Sequence, residues 1–149
     1  MRKLSLIIIC AVFATVIFAQ DNTQQPENYG KVTFLTFESF KQKIVPLKEG
    51  QNEWNYIGDK PCVIDFYASW CGPCRMLSPH LEKAAKEFAG EIYVYKIDTQ
   101  QERQLAQIFN VTSIPMLLFC PIGKQPLMQR GYRDFETLKT EINQHLLGK

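Results

Sequence analysis

The feature that most constrains this chain is the junction between an apolar run, Cys62-Val63-Ile64-Asp65-Phe66-Tyr67, and the segment Trp70-Cys71-Gly72-Pro73-Cys74-Arg75 just behind it. The run is short and rich in β-branched and aromatic side chains, which predicts a buried strand. After the cysteines, Met76, Leu77, Leu81, Ala84, Ala85 and Phe88 recur at helical spacing with charged residues between them. That pattern predicts an amphipathic helix. Two cysteines therefore fall where a strand ends and a helix begins. Unpaired backbone N–H groups at a helix start favour negative charge, so a thiolate is stabilised there. The thiolate is the form that attacks disulfides. Cys71, first and on the exposed turn, is the expected nucleophile, and Cys74, one turn in, the expected resolving thiol.

Other uses of such a pair fit less well. A zinc site needs two more ligands, no second Cys-x-x-Cys is present, and the histidines are His80 and His145. Haem attachment needs a histidine after the second cysteine, where Arg75 stands. No metal site, flavin motif or nucleotide motif is expected, and the redox group is the cysteine pair itself. Asp65 has apolar neighbours on both sides, which suggests a central strand covered on both faces rather than a carboxylate in solvent. A buried acid without a partner should have a raised pKa.

These residues resemble the active-site segment of the thioredoxin family, whose Trp-Cys-Gly-Pro-Cys signature stands unchanged at Trp70 to Cys74. Asp65, six residues before the first cysteine, matches the family's acid. Ser113-Ile114-Pro115 before an apolar strand resembles its cis-proline segment, and Gly123 and Gly131 fall where its late glycines do. The similarity runs from about Val32 to Leu147. It implies an α/β thioredoxin fold, a mixed central β-sheet with helices on both faces. It also implies that Asp65 accepts the proton of Cys74. The Ile114–Pro115 bond would be cis and would set the Ile114 backbone beside the dithiol, where an extended peptide could add as a strand. Substrate would be held by Trp70, Gly72, Pro73, Ile114, Pro115 and Gly131, with Trp70, Ile114 and Gly131 as an apolar docking patch. One departure concerns a lysine that many relatives place four residues before the Asp of the neighbouring strand. Val94 stands there, and Lys96, two residues on, is left without an assigned role. Arg75, where relatives commonly have Lys, keeps a positive charge beside the dithiol.

A length of 149 residues predicts one domain with a single substantial core. Arg2 and Lys3 precede an apolar run from Leu4 to Ala19, after which the chain turns polar. A charged start, an apolar stretch and a small residue at its end predict a secretory signal peptide over residues 1–19. The run is shorter than the roughly 20 residues of a membrane-spanning helix, although an uncleaved anchor is an alternative. Cys10 invites a lipoprotein reading, which bulky Ile9 disfavours. Residues 20–30 read as a linker and 31–149 as the thioredoxin domain. Without Arg2 and Lys3 the 17 basic residues become 15, against 15 acidic ones. The near-neutral domain gives no electrostatic case for nucleic acid.

Along the domain, Val32 to Leu35 predicts a short strand, and Thr36 or Ser39 can cap a helix carrying Phe37, Phe40 and Ile44 on one face. Pro46 and Gly50 close that helix. Trp54 and Tyr56 are expected to pack in a long approach to the central strand. Pro79 should kink the active helix, and Gly90 should end it. A strand over Ile92–Asp98, a helix over Glu102–Phe109, an antiparallel pair over Pro115–Phe119 and Leu127–Gln129 turning at Gly123, and a closing helix with Phe135, Leu138, Ile142 and Leu146 complete the expectation. Cys62 and Cys120 match no functional position of the family and read as buried, reduced thiols. His80 and His145 read as surface residues.

The expected function is that of an exported dithiol reductant: a thiol–disulfide oxidoreductase that reduces disulfides in other proteins. Its partners would be disulfide-bearing proteins and an electron-donating thiol reductase, membrane-bound or exported, and the chain would act as a monomer in the periplasm. A disulfide oxidase or isomerase is the alternative chemistry, because exported compartments also form disulfides. A non-catalytic binding subunit using the docking patch alone is the alternative of a different class.

Overall fold

The computed structural model describes residues 29–47 and 53–149. The leader expected over residues 1–19, the linker up to residue 28, and Gly50 lie outside the described residues. Ten elements follow in order: β1 (Val32–Phe34), α1 (Phe37–Lys43), β2 (Cys62–Tyr67), α2 (Gly72–Glu87), β3 (Tyr93–Asp98), α3 (Arg103–Ile108), β4 (Met116–Cys120), β5 (Leu127–Arg130), α4 (Phe135–Ile142) and a closing π-helical turn (Asn143–Leu147). Among the described residues, no helix is long and apolar enough to cross a membrane.

The strands form one sheet in the order β1-β3-β2-β4-β5. β1, β3 and β2 are mutually parallel, while β4 runs antiparallel to β2 and β5 to β4. A parallel neighbour needs a crossover, and α2 supplies the one from β2 to β3. The antiparallel β4 and β5 need no crossover and are joined by the loop 121–126, in which Gly123 takes a positive φ of 67°.

Period-two alternation sorts the side chains of β2 onto two faces. Ile64 and Phe66 join Phe40, Ile44, Tyr95, Ile97 and Leu118 on the face covered by α1 and α3. Val63 joins Leu77, Leu81, Val94, Phe119 and Leu138 on the face covered by α2 and α4. Both faces are therefore occupied, which is why the strand is apolar on either side of Asp65 and why Asp65 is fully buried in it.

The predicted elements are all present, with bounds shifted by a residue or two. Thr36 is the cap of α1: its hydroxyl accepts from Ser39 N–H while Ser39 Oγ accepts from Thr36 N–H, a reciprocal box. The active helix runs continuously through Pro79 and ends at Glu87, three residues before Gly90, which takes φ 85°. Trp54 and Tyr56 stack on each other, 6.4 Å between ring centres, and pack against the first core face. The histidines are less exposed than the sequence suggested. His80 Nε2 lies 3.0 Å from the Tyr132 hydroxyl, and His145 sits edge-on to Phe119 with Nε2 3.2 Å from Gln129 Nε2.

Candidate active site

β2 ends at Tyr67 and α2 begins at Gly72, so the cysteines occupy the turn between a buried strand and a helix N-terminus. Cys71 is the helix cap, its sulfur accepting from the Cys74 N–H at 3.2 Å. Pro73 sits in the first turn, where its missing N–H costs no hydrogen bond. The two sulfurs are joined in a disulfide with Cα atoms 5.3 Å apart. Cys71 is only 4% exposed and Cys74 1%. This corrects the expectation of an exposed nucleophile. The turn is exposed at Trp70 and Pro73, while Cys71 and Cys74 pack with Ala68, Tyr67 and Ile114.

The pair opens onto solvent through a groove of about 520 Å³ lined by Trp70, Cys71, Gly72, Pro73, Thr99 and the 111–114 segment. Trp70 is 65% exposed, far more than core packing requires. Ile114 is half-buried against the cysteines, and its bond to Pro115 is cis. Gly131, expected in the docking patch, is not part of the groove lining. It adjoins the proline segment, its N–H donating to the Pro115 carbonyl at 2.8 Å, with a φ of 95° that disfavours a side chain. Thr99, Val111 and Thr112 line the groove without having been singled out in the sequence. They carry no chemical signature, and only the approach of two loops in space brings them there.

Asp65 faces α2 from the middle of β2, with no water-accessible surface and no hydrogen-bond partner for either carboxylate oxygen. Burial pushes its pKa up to about 7, against the opposing pull of Lys96. Lys96 is the paired residue on β3, its Nζ 3.7 Å from Asp65 Oδ2. This corrects the reading that left Lys96 unassigned. Counting back from Asp98 picks Val94, but the parallel register sets Val94 against Val63 and Lys96 against Asp65. The Lys96 ammonium is also held by Ser78 Oγ at 2.5 Å and lies 4.2 Å from the centre of the Tyr67 ring. Arg75 is exposed and reaches back to the Ser69 carbonyl at 3.3 Å.

Cys62 and Cys120 stand directly opposite each other in the β2–β4 ladder, both fully buried and both free thiols. They begin β2 and end β4, at the end of the sheet away from the disulfide. Burial, then the Cys62 thiol beside it, pushes the Cys120 thiol well above the usual range.

The thioredoxin family model matches residues 31–144. The thioredoxin of Borreliella burgdorferi is 43% identical over 98 residues, covering 66% of this chain and 83% of that protein. Thioredoxin 1 of a Nostoc species is 32% identical over 112 residues, covering 75% and 94%. Among solved structures, a chloroplastic thioredoxin z superposes with a TM-score of 0.65 at 27% identity, covering 76% of this chain and 93% of that one. The Malassezia sympodialis thioredoxin gives 0.62 at 32% identity, covering 79% and 93%. With its disulfide at the head of α2 and relatives at this identity over most of their length, the chain belongs to the thioredoxin family, as a thioredoxin-type protein-disulfide oxidoreductase.

Proposed function

We propose that the protein is an exported reductant of protein disulfides, working through Cys71 and Cys74. The observation that carries this reading is the placement of the cysteine pair at a helix N-terminus on an open groove, with a buried acid behind it that accepts no hydrogen bond. In the reduced protein the Cys71 thiolate attacks one sulfur of a substrate disulfide. A mixed disulfide forms, and the other substrate sulfur leaves as a thiol. Cys74 then gives up its proton to Asp65 and attacks the Cys71 sulfur. The second substrate sulfur leaves, and the Cys71–Cys74 disulfide remains. Two electrons have passed from the protein to its substrate, and a thiol reductase must return them.

Trp70, Gly72, Pro73 and Ile114 would hold the substrate chain in the groove, with Pro115 and Gly131 shaping its wall. Export is supported by Arg2, Lys3 and the apolar stretch to Ala19, which suit a leader and a periplasmic destination. Reduction rather than oxidation is supported by Gly72-Pro73, the dipeptide of thioredoxins, which are more strongly reducing than protein disulfide isomerase or the periplasmic oxidant. The domain would act as a monomer.

The test is reduction of a disulfide-bonded protein by the dithiothreitol-reduced domain. Parent protein should accelerate it, Cys71→Ser should abolish the acceleration, and Cys74→Ser should accumulate a mixed disulfide on Cys71. A Cys71→Ser protein with full biological activity would instead favour a binding subunit that uses the groove alone.

A further inference from the structure

Asp65 and Lys96 are register partners on β2 and β3, yet their charged atoms stand 3.7 Å apart and neither carboxylate oxygen accepts a hydrogen bond. An ammonium next to a fully buried carboxylate that accepts no hydrogen bond gains a strong charge-assisted bond by closing that gap. Two contacts hold it back. Lys96 Nζ donates to Ser78 Oγ at 2.5 Å, and the Tyr67 ring lies beneath it, 4.2 Å to its centre. Ser78 is itself anchored, because its hydroxyl proton goes to the Cys74 carbonyl at 3.1 Å, which turns the oxygen's lone pairs toward Lys96. The anchor is thus the backbone of the residue whose thiol Asp65 would serve.

We propose that Ser78 is a positioning residue that parks the Lys96 ammonium beside Asp65 rather than on it, leaving the carboxyl free to take a proton. The inference rests on the reading of Asp65 as acceptor of the Cys74 proton. An ammonium bonded to Asp65 would favour the carboxylate and make it a weaker base. With the ammonium where it stands, burial outweighs the pull of Lys96 and the acid's pKa is about 7. Lys96 is the charged neighbour that acts on Asp65, and other titratable groups stand on the surrounding elements. The cysteine pair and, further out, Glu82 and Lys86 belong to α2, Asp98 lies on β3 beyond Lys96, and Lys31 precedes β1. On β4 the register partner is apolar Leu117. Lys31, Glu82 and Lys86 line, with Ser78 and Lys96, a cavity of about 370 Å³ that opens to solvent. Lys96 therefore stands between the buried acid and water, where the position of its ammonium sets what Asp65 feels.

The experiment is an NMR titration of the Asp65 carboxyl carbon in the reduced protein, for the parent, Ser78→Ala, Ser78→Thr, Lys96→Met and the double variant Ser78→Ala with Lys96→Met. Alanine suits a helix interior, so Ser78→Ala is expected to fold. Its Asp65 midpoint should fall by about one pH unit, a tenfold change in the ionisation constant. Ser78→Thr, which keeps the hydroxyl, should follow the parent. On the Lys96→Met background, Ser78→Ala should move nothing, because the ammonium it positions is gone. A midpoint that stays or rises in Ser78→Ala, a threonine variant that behaves like alanine, or an equal shift without Lys96 would overturn the proposal. The titration needs no turnover: a parent protein that failed to reduce disulfides would refute the proposed function and leave this result standing.

Discussion

Asp65 pairs complete burial with a pKa near 7, and the consequences differ for stability and for rate. Its folded pKa lies above the unfolded value of 3.8, so the folded protein holds the extra proton between the two. Stability from this group is full below the unfolded pKa and is lost as pH rises toward 7. At pH 8 the buried carboxylate should cost about 4 kcal/mol relative to pH 3. Asp65→Asn should therefore unfold at higher denaturant than the parent at pH 8, with the advantage gone near pH 4. Equilibrium unfolding of the oxidised protein at both values checks this. The same variant should resolve mixed disulfides more slowly at neutral pH, by up to about a hundredfold, because a positioned base is missing. Equal turnover of variant and parent from pH 6 to 9 would show that Asp65 is not the proton acceptor. Asp65 was legible in the sequence because a carboxylate stood inside an apolar run. Lys96 was not, because a charged residue near a strand end looks the same whether it faces solvent or an acid. Only the β2–β3 register tells the two apart.

Among the elements, α1 and the β2–β4 ladder show how far local signals reach. The Thr36–Ser39 box satisfies N–H groups that the first turn of α1 leaves unpaired, and Phe40 and Ile44 then fix that helix on the sheet. Thr36→Ala should lower stability by about 1 kcal/mol in denaturant unfolding, with little effect on disulfide reduction. The caps and apolar faces were readable because they depend on neighbours three or four residues away. The apposition of Cys62 and Cys120 was readable only as a shared displacement from the dithiol, since direct pairing depends on a register between distant strands. Both thiols are buried and Cys120 resists ionisation, so the thiolate that exchange requires is scarce. Thiol counting on the denatured domain without residues 1–19, after mild oxidation of the Cys71–Cys74 pair, should find two free groups. Finding none would mean a second disulfide.

At the scale of the whole molecule, two distant stretches meet to make the site. The strand-to-helix turn brings the cysteines, and the segment before β4 closes the groove over them with Ile114. The strand-to-helix junction, the acid and the proline segment were legible because each has its own residue pattern. The groove wall at Thr99, Val111 and Thr112 was not, because its residues are ordinary and only the fold assembles them. The hydrogen bond from Gly131 to the proline segment has the same origin, a relation that sequence order does not encode. The central claim is that this assembly delivers electrons to protein disulfides. The direct measurement is the equilibrium of the Cys71–Cys74 pair against a glutathione redox buffer. The account predicts a potential near about −270 mV, in the range of thioredoxins. A value near about −120 mV, that of the periplasmic oxidant, would contradict it and make the protein a donor of disulfides.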